Sequence, residues 1–231
     1  MKHLWFVLVT FSIISCTSNV IKIDNYENPK KALLVIDMQI DYIGENARYS
    51  VENSQIDNLI GITNEIIEYF NQNNFTIIYL RRIFRENDWQ NIFNNYAAIE
   101  GTIGVEIDPR MSIVSENIFD KYTASAFSNM DFKNYLIQNQ INELYLCGVM
   151  ADQCVYETAL DAFNYGYIVN YYANAVGSTS IRRIENAIGK LRNRGINIIE
   201  WQEMKNLVAS HEVSSLERKF IILAGSIPST F

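Results

Sequence analysis

Residues 144–155 read Leu144-Tyr145-Leu146-Cys147-Gly148-Val149-Met150-Ala151-Asp152-Gln153-Cys154-Val155, and the fold turns on how this stretch is read. Leu144 to Val149 is an unbroken apolar run, as a strand covered on both faces requires. Four turn residues follow, and then Val155, Ala159, Ala162 and Phe163 recur at the spacing of one helix face. The pattern predicts strand, tight turn and helix, with the thiol of Cys154 in the first helical turn. Free backbone N–H groups and the positive end of the helix dipole favour a thiolate at such a position. Taken alone, Cys154 reads more readily as a packed structural cysteine, and only its relation to other residues can overturn that.

Outward from this unit, the same alternation recurs in both directions. Ala32 to Ile36 and Phe75 to Leu80 read as buried strands, with a helix between them over about Val51 to Gln72, carried by Ile56, Leu59, Ile60, Ile66, Ile67 and Phe70. A polar, irregular stretch runs from Arg81 to Asp120, with a short strand near Asn117 to Phe119. Beyond it come a helix over Met130 to Gln138, the central unit stopped by Gly166, a strand over Tyr167 to Tyr172, a helix over Ile181 to Arg192 and a strand over Ile196 to Trp201. Met204 to Ala224 reads as helix, although Phe220 to Leu223 also fits a strand. Alternating strands and helices mean an α/β fold, a mostly parallel six-stranded sheet with helices on both faces, and ligands beyond the carboxyl ends of its strands.

The chain has 231 residues, 48% hydrophobic, 19% charged and with three prolines, which suits one domain, placed at residues 31–231, with a core that needs no disulfide. A net charge of −7 and the lack of any basic run leave no footprint for nucleic acid. The amino terminus differs from the rest. Met1-Lys2-His3 is positively charged, and the apolar run Leu4 to Ile14 is too short for the roughly 20 residues a bilayer span needs, but it fits the apolar region of a secretory signal. Ile13-Ile14-Ser15-Cys16 resembles a bacterial lipobox, in which the cysteine is lipidated and becomes the first residue of the mature chain. The expectation is a signal peptide over residues 1–15, a tether over 16–30, and a membrane-anchored lipoprotein of the cell envelope, facing the periplasm or the cell surface. An ordinary signal peptide or a buried first strand are the alternatives. Export brings an oxidising compartment; Cys147 is read as core packing and Cys154 as free, since a bond between them would distort the turn.

Two further residues give Cys154 company. Ile36 leads directly into Asp37, so parallel neighbouring strands would bring Asp37 and Cys154 together at the carboxyl edge of the sheet. A carboxylate in a dry pocket can take the thiol proton, and the thiolate can attack a carbonyl. Lys121, in Phe119-Asp120-Lys121-Tyr122-Thr123-Ala124-Ser125-Ala126-Phe127, would hold that thiolate and lower its pKa.

In their order, these segments resemble the isochorismatase-like cysteine hydrolases, a superfamily that includes nicotinamidases, carbamoylsarcosine amidases and ureidoacrylate or biuret hydrolases. Leu33-Leu34-Val35-Ile36-Asp37-Met38-Gln39 is similar to the family's first strand and catalytic acid. Gly101-Thr102-Ile103-Gly104-Val105-Glu106-Ile107 is similar to its glycine-threonine loop, Lys121 with Ser125-Ala126-Phe127 to its lysine segment, and Gly148 to Val155 to its nucleophile turn, with Thr158, Ala159, Asp161 and Ala162 continuing the pattern. The resemblance implies a Rossmann-like three-layer α/β/α sandwich, a triad of Asp37, Lys121 and Cys154, and a cis peptide between Val149 and Met150. It also implies an oxyanion hole made by the N–H groups of Met150 and Cys154, and cleavage of the C–N bond of a small amide or carbamoyl compound through a thioester. Gln39, Tyr42, Trp89, Tyr122 and Phe127 lie beside the matched motifs and are expected to wall the pocket.

Departures from the family narrow this reading. Nicotinamidase-type members bind a metal through an Asp and two His, whereas this chain has only His3 and His211, so no metal and no other cofactor is expected. Arg81-Arg82-Ile83-Phe84-Arg85 takes the place of the family's histidine-bearing segment; its arginines are open to two readings, contact with an anionic group of the substrate or exposure to solvent, of which solvent is favoured, and Asn174 replaces the family's acid after the fifth strand. No Gly-x-Gly-x-x-Gly follows a strand, which leaves a dinucleotide site unsupported. Rival readings are isochorismate-type vinyl ether hydrolysis and a non-catalytic binding or scaffold protein on the same fold. The expected partner is a small molecule; a homo-oligomer is compatible with the family, but no interface can be read from the pattern.

Overall fold

The inner strands of the central sheet are apolar runs whose alternate residues feed two cores. The computed structural model describes residue 23 and residues 26–206. Six strands, β1 (Lys30–Ile36), β2 (Thr76–Arg82), β3 (Ile118–Lys121), β4 (Ile141–Val149), β5 (Ile168–Gly177) and β6 (Asn197–Ile199), form one sheet in the order β3-β2-β1-β4-β5-β6. Every neighbouring pair is parallel, so the sheet is wholly parallel among the described residues. Parallel strands need crossovers, and these carry the helices. The helices are α1 (Ile40–Ile43), α2 (Asn53–Gln72), α3 (Met130–Gln138), α4 (Cys154–Tyr165) and α5 (Ile181–Asn193), and residues 201–206 are also helical.

Leu33, Val35, Ile77, Tyr79, Tyr145 and Cys147 pack on one side, mainly against the buried face of α2. Leu34, Ile36, Ile78, Leu80, Leu144 and Leu146 pack on the other, against Phe132 and Leu136 of α3, Val155, Ala159 and Ala162 of α4, and Leu191 of α5. This is the three-layer sandwich expected. Local chemistry sets the helix ends: Asn129 Oδ1 accepts from Phe132 N at 3.0 Å to start α3, and Gly166, in the left-handed region at φ 94°, ends α4.

The differences from expectation are local. β5 runs on to Gly177 through a register irregularity against β4 between Leu146 and Gly148, where a strand ending at Tyr172 was expected. β6 stops at Ile199 because Asn174 Oδ1 accepts from Trp201 N at 3.1 Å, where the following helical turn begins. Phe163, expected on the apolar face of α4, is exposed. Of the stretch read as a tether through residue 30, Ile23 donates its backbone N–H to Tyr165 O at 2.9 Å and packs on the α4 side, and Lys30 already belongs to β1. The signal segment, the lipidation site Cys16 and the helix or strand expected beyond residue 206 lie outside the described residues. No helix among the described residues is long and apolar enough to cross a membrane.

Candidate active site

The sheet changes winding direction between β1 and β4, and crevices at such a switch are where open α/β sheets bind ligands. Ile36 and Gly148 are register partners there, and each strand delivers a reactive group just beyond that pair. Asp37 follows β1 with φ 54°, its N–H donating to Leu80 O at 2.8 Å. Cys154 opens α4 after the four-residue turn that closes β4. Gly148, at φ 115°, permits the close approach of the two strands, because a Cβ there would overlap the Ile36 carbonyl.

Lys121 comes from β3, two strands away from β1 and so about 10 Å across the sheet. Its long stem spans the end of β2, and Nζ donates to Asp37 Oδ2 at 2.8 Å with both side chains buried. The segment after Lys121 is fastened to α4 by Ala126 N, which donates to Thr158 Oγ1 at 3.0 Å. The three residues of the expected triad therefore meet at one point, from three different strand ends.

Electrostatics at this point are governed by burial. Burial pushes the Asp37 carboxyl up, against the downward pull of Lys121 and smaller effects of Cys154 and Arg82. It pushes the Cys154 thiol up to about 12; Lys121 and Arg82 pull it down, while Asp37 adds to the rise. The sequence reading had Lys121 lowering the thiol's pKa, and that pull is present but outweighed. The resting site thus holds a neutral thiol beside the Asp37 carboxyl group, which lies 2.8 Å from Lys121 Nζ. Among the described residues Asp37 Oδ1 has no hydrogen-bond partner, while the carboxyl and the Cys154 thiol act on each other's titration. Tyr42, raised first by burial and next by the Asp37 charge, stays a neutral phenol in the same wall.

The Val149–Met150 peptide is cis. The N–H groups of Met150 and Cys154 donate to no backbone acceptor among the described residues, whereas Ala151 N is taken by Gly177 O at 2.8 Å and Gln153 N by Met150 O at 3.0 Å. Two free donors at the start of a helix, beside a buried thiol, have the composition of an oxyanion hole.

A cavity of about 250 Å³ opens onto Asp37, Met150 and Cys154. Of the aromatic walls expected, Tyr42 and Tyr122 line it, and three other expectations are corrected. Phe127 is core: it stacks on Tyr165 at 5.1 Å and meets Phe132 edge-on, behind the site rather than in it. Trp89 is 69% exposed and packs on Phe93 outside the cavity wall. Gln39 is fully buried and acts as a backbone clamp, its Nε2 donating to Arg82 O at 2.9 Å and Val105 O at 2.7 Å and its Oε1 accepting from Arg82 N at 2.8 Å. The arginine loop is corrected in part. Arg81 stays near the surface, paired with Asp120 and Glu106, but Arg82 turns inward and lines the cavity with Phe84, Gln90 and Asn94. The sequence signal for Arg82 was strand parity: it shares a face with Ile78 and Leu80, which are core.

The described residues do not fit a metal of the nicotinamidase type. No group of three or more His, Cys, Asp or Glu is placed to hold a cation among the described residues, and both histidines lie outside them. The wall carries a guanidinium and a phenyl ring instead of imidazoles, and a fixed positive charge there opposes a cation.

Comparison with known proteins supports the same family. The sequence model of the isochorismatase domain matches residues 31–203. A probable inactive nicotinamidase of Arabidopsis thaliana is 28% identical over 192 residues, covering 74% of this chain and 94% of its own. Among solved structures, the pyrazinamidase of Pyrococcus horikoshii in complex with zinc superposes with a TM-score of 0.67 at 28% identity, covering 75% of this chain and all of its own (100%). An isochorismatase-like hydrolase from Alkaliphilus metalliredigens shares the fold with a TM-score of 0.70 at 24% identity, over 77% of this chain and 98% of that one.

Proposed function

Because the chain belongs to the isochorismatase family, in the isochorismatase-like hydrolase superfamily, we propose that it is a cysteine-nucleophile hydrolase cleaving the C–N bond of a small amide or carbamoyl compound. The observation that carries this reading is the meeting of Asp37 and Cys154 in the wall of one small cavity, with the buried Lys121 Nζ 2.8 Å from Asp37.

The chemistry follows from that arrangement. Substrate entry displaces water and presents a carbonyl carbon to the thiol. Asp37 takes the Cys154 proton as the C–S bond forms, so no free thiolate need accumulate in a site where burial disfavours it. The carbonyl oxygen gains charge and is met by the N–H groups of Met150 and Cys154; such donors are worth about 3–4 kcal/mol each in comparable sites. Asp37 then returns the proton to the leaving nitrogen, the C–N bond breaks, and a thioester remains on Cys154. A water deprotonated by Asp37 attacks the thioester, releases the acid and restores the thiol. Lys121 keeps the carboxylate oriented and stabilises its charge throughout.

A non-catalytic binding protein is the second reading, favoured by the Arabidopsis relative being a probable inactive nicotinamidase. The two are separated by incubating the full chain and its Cys154→Ala variant with a panel of small amides while recording ammonia. Release by the wild type that disappears in the variant is expected. Binding without turnover in both would support the non-catalytic alternative.

A further inference from the structure

We propose that Arg82 is an anion-binding residue of this site and that the substrate is a small amide carrying a carboxylate. The inference deepens the hydrolase reading above and takes its reaction from it.

Arg82 and Lys121 are register partners on adjacent parallel strands, so two cationic side chains leave the sheet side by side at its carboxyl edge. Lys121 has Asp37. Arg82 is 4% exposed and forms no ion pair with a carboxylate among the described residues. Its Nη2 makes one long bond, 3.3 Å to Gln90 Oε1, and Nη1 has no hydrogen-bond partner. One face of the guanidinium lies 4.1 Å from the Phe84 ring centroid, which leaves hydrogen-bonding capacity at the group's edge unused. Buried charges are tolerated where something pairs with them.

The neighbouring residue shows that this stretch of the chain can supply acids. Arg81 takes both oxygens of Asp120, at 2.7 and 3.1 Å, and Glu106 at 2.8 Å. The half-buried arginine is neutralised and the fully buried one is not. Nor is Arg82 loosely placed, since Gln39 bonds both its N–H and its carbonyl. Among the described residues, Asp37 is the one carboxylate paired with Lys121 and none is paired with Arg82, next to a thiol that burial keeps neutral. One more negative charge balances the site. A planar guanidinium with a free edge matches a carboxylate in geometry as well as in sign. A second unused group agrees: Asn94 Oδ1, also in the wall and buried, has no donor and suits an N–H of the same molecule. The cavity, at about 250 Å³, lies below the usual range for drug-sized ligands, so carboxylate and scissile amide are separated by only a few atoms.

The test uses the full chain and a matched pair of amides, succinamate and its neutral counterpart butanamide. The wild type is expected to prefer succinamate in kcat/KM by about tenfold or more, the worth of one charged hydrogen-bonded contact. Arg82→Gln is expected to remove the preference, chiefly through KM, and Arg82→Lys to keep part of it; the lysine variant also serves if the glutamine one does not fold. Cys154-dependent turnover that favours butanamide, or does not distinguish the two, overturns the anion site and leaves the hydrolase reading standing. If neither amide is turned over, calorimetry with succinate decides: binding to the wild type but not to Arg82→Gln supports the anion site, and no binding to the wild type overturns it.

Discussion

Cys147, within the buried run of β4, and Cys154, at the start of α4, are both buried, both free and both raised above the ordinary thiol range. Around Cys147 burial is the whole story: its sulfur meets the Leu34 carbonyl at 3.5 Å in a wall of hydrocarbon. Around Cys154 burial is opposed by Lys121 and Arg82 and reinforced by Asp37. On the proposed mechanism, a low thiol pKa is not what marks Cys154 as the nucleophile. What marks it is a base that can accept the proton, cations that tolerate the resulting charge, and a cavity that admits a carbonyl. A thiol that stays protonated until substrate arrives is also less open to oxidation, which proceeds through the thiolate.

The largest effect that separates the two environments is expected from Lys121. Lys121→Met leaves Asp37 buried without its ion pair, and kcat/KM should fall by about a hundredfold or more. The pH profile carries the same information. Asp37 must be ionised to accept the thiol proton, and burial raises its pKa, so wild-type activity is lost as pH falls through a value above the ordinary carboxylate pKa of about 4. Removing Lys121 removes a downward pull, so the acid limb should move further up; an unshifted limb would mean that Asp37 is not the titrating base. The smallest effect is expected at the other cysteine. Cys147→Ala should cost about 1–2 kcal/mol in thermal unfolding, with kcat little changed. A loss of turnover matching that of the lysine variant would break the contrast.

Where hydrophobic period and punctuation are strong, sequence and structure coincide: α3 and α4 begin and end as read, and β1 and β4 differ only in their first residues. β5 was read too short because Asn174 interrupts its apolar run, yet that side chain is used to start the next helical turn. Asp37, Lys121 and Cys154 were legible because each sits at or just past a strand end, where a parallel sheet gathers side chains from distant parts of the chain. The cavity walls were not. Gln90 and Asn94 come from the irregular stretch before β3, which has no period to place them, and Gln39 passes for a pocket residue until its bonds to Arg82 are seen. Arg82 was open to parity, but its charge argued for solvent; only the three-dimensional register, with Lys121 beside it, shows that it is buried.

The most direct test of the central claim is to trap the covalent intermediate. The full chain is mixed with an amide it turns over, quenched in acid within the first turnover, digested and weighed by mass spectrometry. The peptide containing Cys154 is expected to carry the substrate's acyl group as a thioester, and the peptide containing Cys147 to be unmodified. Turnover with no acyl group on Cys154 at any quench time, together with undiminished activity in Cys154→Ala, would contradict the account.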